Sequence, residues 1–143
     1  MVDIKAREIT NYLKKLVSMF NQNPLLYSNV LYNIGVTLNV IGALKQEPVL
    51  SVIGDLLADA PDKIQSIISL RYSLIGTFSE LQETTYALAE RKINIIMEAL
   101  NSLIEILEEK EPDRDKLQRI LGTLYEELAY TPSITFTSSR TEQ

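Results

Sequence analysis

The sequence predicts an all-α fold, a helical bundle of four to six helices with short proline-marked connections and an extended C-terminal tail. Three observations carry this. Apolar residues recur at intervals of three and four along most of the chain. Five prolines, Pro24, Pro48, Pro61, Pro112 and Pro132, read as helix boundaries. With 143 residues, 45% of them hydrophobic and 23% charged, the composition is that of a folded domain. Residues 1–131 read as one bundle domain and 132–143 as an extended or disordered tail.

The first helix is expected from about Asp3 to Asn21, with Ile9, Tyr12, Leu13, Leu16, Val17 and Phe20 on one buried face. Asn23 can cap the next helix, and Pro24 suits its first position, where a missing N–H loses no partner. That second helix runs to about Leu44, inside a stretch from Leu16 to Leu44 without a charged residue. Leu26, Val30, Ile34, Leu38 and Ile41 form one face, while Leu31, Val36, Val40 and Ala43 spread apolar surface around most of the rest. A helix apolar nearly all round must be hidden on nearly all sides. Asn29, Asn33 and Thr37 form its one polar stripe, either open to solvent or buried in a subunit contact where side-chain hydrogen bonds would fix register. Gly35 and Gly42 lie on one face and admit the close approach of another helix.

A short third helix is expected from Pro48 to Ala58, with Val49, Val52, Ile53, Leu56 and Leu57 inward. Asp59-Ala60-Pro61 closes it, and Pro61 opens a fourth helix carrying Ile64, Ile67, Ile68, Leu74 and Ile75. As a single helix, Asp62 to Glu111 would be about 75 Å long, too long for this domain, so a break is expected at Gly76. Leu81, Leu88, Ile96, Leu100, Leu103 and Leu107 continue to about Lys110. After Glu111-Pro112-Asp113 the last helix holds Leu117, Ile120, Leu121, Leu124, Tyr125 and Leu128. In the tail, Ile134 and Phe136 alternate with Thr135 and Thr137, as in a disordered end or an arm lying on a neighbouring subunit.

The chain contains neither Cys nor His. That removes disulfides, thiolate chemistry, zinc fingers, Ser-His or Cys-His hydrolases and His-containing di-iron bundles. The five glycines are scattered through helices rather than grouped as phosphate loops, and the carboxylates read as solvated surface. No enzyme, cofactor, metal or small-molecule substrate is therefore expected. A net charge of −5 argues against a general nucleic-acid coat. Residues 1–20 nevertheless carry Lys5, Arg7, Lys14 and Lys15 against two acids, which makes this helix the one candidate phosphate-facing surface, or else a solvated face. The apolar run Val30–Leu44 is shorter than the ~20 residues of a membrane span, so packing within protein is favoured over membrane contact. Helix two and the tail together supply the expected subunit interface: Val30, Ile34, Gly35, Leu38, Val40, Ile41, Gly42, Ile134 and Phe136. A charge at Leu38 or Val40 is expected to abolish assembly.

Met19-Phe20, Leu25 or Leu26, Tyr27 and Val30, with Gly35 and Asn39 beyond, resemble the front half of the coat proteins of large tailed spindle-shaped, bicaudavirus-like archaeal viruses. Val52-Ile53 and Leu56-Leu57 followed by Asp59-Ala60 continue the similarity. The resemblance implies a helical bundle that polymerises with copies of itself into a virion shell, resides in the host cytoplasm before assembly, and could meet viral DNA through the N-terminal helix. Non-structural relatives imply an alternative, an acidic protein that inhibits host RNA polymerase by occupying a basic channel.

Overall fold

Five helices make up most of the described part of the computed structural model, residues 2–73, 79–109 and 111–129. They are α1 (Val2–Gln22), α2 (Val30–Lys45), α3 (Pro48–Ser73), α4 (Ser79–Glu108) and α5 (Arg114–Ala129), with no strand among the described residues. The expected tail, with Ile134 and Phe136, lies outside them, as do Leu74, Ile75 and Gly76. The break expected at Gly76 therefore also lies outside them, between the described extents of α3 and α4.

In α1 the spacing places Ala6, Thr10, Leu13, Leu16, Val17 and Phe20 in the core. Thr10 donates to the Ala6 carbonyl at 2.7 Å, so its hydroxyl is not orphaned. Tyr12, expected inward, is exposed because it sits a full 100° around the helix from Leu13.

Asn23 caps as expected, its side chain accepting from the Leu26 N–H at 3.3 Å, but it opens only a turn. The N–H groups of Val30, Leu31 and Tyr32 each bond back three residues, to Tyr27, Ser28 and Asn29, which delays α2 until Val30. Buried Ser28 is held at this corner by Gln65 Nε2, which donates to its hydroxyl at 3.3 Å. The far end of α2 closes on Gln46 in a left-handed conformation (φ 56°), with the Glu47 N–H donating to the Gly42 carbonyl at 2.8 Å.

Backbones meet along the α2–α3 seam. A Cβ on Gly35 would stand 2.3 Å from the Gly54 carbonyl oxygen and 2.6 Å from the Ala58 nitrogen. One on Gly54 would stand 2.5 Å from the Gly35 oxygen, and one on Gly42 2.7 Å from Ser51 Oγ. Asn39 stitches the rim by donating to Asp55 Oδ1 at 3.1 Å.

The largest departure from expectation is Pro61, which is buried inside a continuous α3 rather than dividing two helices. Proline removes the N–H that would bond Leu57 and costs about 3 kcal/mol. Leu50, Ile53, Leu57, Ala60, Ile64 and Ile67 form one unbroken stripe through that point, each at most 2% exposed. Several such side chains at about 1.5–3 kcal/mol each outweigh the lost bond. Leu50 takes the place expected of Val52, which is exposed.

Helix α4 spans about 45 Å and buries Ile96, Leu100, Leu103 and Leu107, but leaves Leu81 and Leu88 at the surface. Asp113 starts α5 by accepting from the N–H groups of Asp115 at 3.0 Å and Lys116 at 3.3 Å. Leu117, Leu124 and Leu128 then enter the same core as Phe20, Ile34 and Ile53, whereas Tyr125 is exposed.

Two glycines should behave oppositely in urea unfolding. Gly35→Ala should lose about 2–3 kcal/mol, because its Cβ strikes backbone that cannot give way. A Cβ on Gly122 meets nothing within 4 Å, and Gly122→Ala should gain about 0.5–1 kcal/mol.

Candidate assembly surface

Because α1 and α3 both pack on α2, most of that helix is hidden within one chain. Ile34, Leu38 and Ile41 are fully buried, and Gly35 and Gly42 lie against α3. These five expected interface residues are therefore corrected to core and seam. Val30 is half-buried, and of the expected set on α2 only Val40 is exposed. A charge at Leu38 would act on folding, not on a contact between copies.

The opposite side of α2 is different. Tyr32, Val36 and Val40, spaced by four, are 57%, 42% and 42% exposed, and Asn29, Asn33 and Ala43 are exposed beside them. The polar stripe divides accordingly: Asn29 and Asn33 reach the surface, while Thr37 is buried and donates to the Asn33 carbonyl at 2.7 Å. Where α2 begins, Leu25 and Leu26 of the preceding turn are exposed as well. The exposed residues of α2 are thus apolar or amide, without a formal charge. Periodicity foretold an apolar helix, and only the positions of α1 and α3 reveal which third of its circumference stays open.

The cations of α1 do not gather into one patch. Lys14 pairs with Glu108 of α4 at 2.5 Å, while Lys5, Arg7 and Lys15 are exposed. Arg7 and Lys14 line a cleft at one end of the bundle, together with Lys45 and Arg114 and with Glu47, Glu108, Glu109 and Glu111. Arg114 pairs with Glu47 at 3.3 Å, and nearby Lys116 pairs with Glu109 at 3.6 Å. Positive and negative groups balance in the cleft, so it offers no net attraction to a phosphate.

A second charged cluster, unforeseen from sequence, closes the C-terminal end of α5. Lys63 from α3 donates to the Leu128 carbonyl at 2.9 Å, and Lys92 from α4 donates to the Glu127 carbonyl. Lys92 is 4% exposed and also meets the Glu127 carboxylate at 3.4 Å, which pairs with Arg91 at 3.1 Å. The last turn of α5 carries no basic residue, so cations from two other helices satisfy its carbonyls and its negative dipole end.

Among the described residues no group of three or more carboxylates is placed to hold a metal ion, and no helix is long and apolar enough to cross a membrane. Among the described residues the geometry defines a bundle of five helices with an open, uncharged face on α2. Compared with known families, curated proteins and solved structures, the chain matches no family model, no curated protein and no solved structure.

Removing the Glu127 carboxylate would leave the Lys92 ammonium buried with only a carbonyl for a partner. Glu127→Ala should lower unfolding free energy by about 2–4 kcal/mol in urea titration, whereas truncating exposed Glu126 should change it by less than about 0.5 kcal/mol.

Proposed function

We propose that the protein is a structural coat subunit of a virion, assembling with copies of itself through the outer face of α2. The observation that carries this reading is the uncharged row of Tyr32, Val36 and Val40 with Asn29 and Asn33, exposed on a chain of net charge −5. Like-charged copies repel wherever acidic faces meet, and this face lets two copies approach without that cost. The resemblance of residues Met19–Ala60 to spindle-shaped virus coat proteins points the same way.

Magnitudes bear on the form of assembly. Covering the exposed parts of these three side chains would remove on the order of 200–300 Å² of apolar surface, or about 5 kcal/mol per face. Association costs roughly 4–15 kcal/mol, so one such contact gives at best a weak pair. A lattice in which each subunit repeats several contacts overcomes this by effective concentration. In such a shell any contact of α1 with viral DNA would fall to Lys5 and Lys15, since Lys14 is paired and Arg7 lies in the charge-balanced cleft. The chain would pass from host cytoplasm to virion as it assembles.

A second reading, a monomeric inhibitor of host RNA polymerase, is favoured by one observation. Asp55, Asp59 and Asp62 are all exposed along one face of α3, as a mimic of phosphate spacing would require. Salt separates the two readings: apolar assembly persists in high salt, while binding of a basic channel weakens steeply.

Val36→Asp and Val40→Asp should abolish large species in light scattering and electron micrographs while leaving far-UV helicity unchanged. Leu38→Asp, at a fully buried site, should instead unfold the chain. Normal assembly by the Val40→Asp variant would overturn the proposal.

A further inference from the structure

The open face does not end at the margins of α2. Lys14 and Asn21, on one flank of α1, reach Glu108 and Asn101 of α4. Tyr12 and Met19 lie about 160° round the helix from them, on the flank that borders α2, and both are exposed. Across the seam Asp55 of α3 meets Asn39, and Val52, three residues before it on the same side, is exposed too. Tyr32, Val36 and Val40 thus stand in the middle of an apolar surface shared by three helices. The exposed parts of these six side chains come to on the order of 500 Å² per copy, about the apolar share of a standard interface of roughly 800 Å² per partner.

The two margins of this surface carry opposite charge. Along α1, exposed Lys5 and Lys15 outnumber Glu8. Along α3, Asp55, Asp59 and Asp62 are exposed at spacings of four and three, on the side that holds Val52. A face bounded in this way recognises itself in one orientation. With the α2 helices of two copies antiparallel, acidic margin would lie on acidic margin, and like charges so opposed cost affinity. About a twofold axis parallel to α2, the acidic margin of each copy lies on the basic margin of the other.

Heights along the bundle agree with the second arrangement, because such an axis leaves every residue at its own level. Thr10 of α1 and Leu44 of α2 line the same end cleft. Five residues inward from each, at about 1.5 Å per residue, Lys15 stands level with Asn39, which is bonded to Asp55. Tyr12 likewise stands level with Gly42, which packs on Ser51 beside Val52.

We infer that two copies pair face to face about a twofold axis parallel to α2, Lys15 of each meeting Asp55 and Asp59 of the other and Tyr12 meeting Val52. This rests on the reading that copies meet through α2, and it supplies the unit a shell would repeat. Lys15 is then held in the pair rather than open to DNA.

Single cysteines report the orientation, since the chain has none of its own. Asn29 and Ala43 are exposed towards opposite ends of the face, about 21 Å apart along it. In the parallel pair each position faces its own copy. Asn29→Cys and Ala43→Cys should each crosslink alone, about tenfold more readily than a mixture forms the crosslink between the two positions. Crosslinking only in the mixture would show an antiparallel pair and overturn the proposal. Charge reversal gives a second readout: Lys15→Glu should weaken pairing about tenfold, and adding Asp59→Lys should recover most of the loss. Unchanged pairing by the Lys15→Glu variant would also overturn it. Sedimentation of the unaltered chain separates the two readings. A monomer at every concentration overturns both, whereas a dimer or larger species without the expected crosslinks overturns this pairing alone.

Discussion

The bundle depends on the contact of bare backbone between Gly35 and Gly54. With each missing Cβ replaced by the other helix's carbonyl, α2 and α3 approach more closely than side chains would allow. Asn39 and Asp55 close the rim of this seam, and Gln46 and Glu47 set the turn that joins its two helices. Once α3 stands this close on one side and α1 on the other, α2 has only its outer third left to meet anything else. The core, the open face and the path of α3 through Pro61 all follow from that spacing.

Much of this was legible in the sequence, and the failures share a cause. Three-and-four spacing marked the helical character of each described element, though it began α2 six residues early and divided α3, and Gly35 with Gly42 marked the close approach correctly. Spacing cannot say which side of an all-apolar helix is inward, however, because that is fixed by neighbours distant in sequence. Ile34 and Leu38 were therefore as eligible for an external contact as Val36 and Val40. Pro61 misled for a related reason: local propensity argued for a boundary, and the tertiary burial of Leu57, Ala60, Ile64 and Ile67 overrode it. Tyr12, Val52 and Leu88 fall at the edges of apolar stripes, where the width of the covering helix decides exposure. The cations at the end of α5 had no sequence signal, since Lys63 and Lys92 lie far along the chain from Glu127.

The surface separates into regions with distinct physics. One end is a cleft of balanced ion pairs, which salt weakens and which favours neither anion nor cation. The outer face of α2 is uncharged and indifferent to salt, and apolar burial there is non-directional. If copies meet there as proposed, such a contact would tolerate small sliding of one on another, while the amides of Asn29 and Asn33 would favour discrete positions by hydrogen bonding. Graded polarity of this sort suits an assembly whose curvature is not fixed by one rigid contact.

The join between α1 and α4 has a consequence for how the chain folds. Asn21 bonds Asn101, eighty positions further along the chain, and Asn21 Oδ1 remains buried without a partner among the described residues. Closing so long a loop carries a larger entropic cost than pairing α2 with α3 across a two-residue turn. Topology thus favours an early hairpin of neighbouring helices, with the first helix and the fourth meeting late. The same junction, closed last and imperfectly satisfied, is where the bundle would open first.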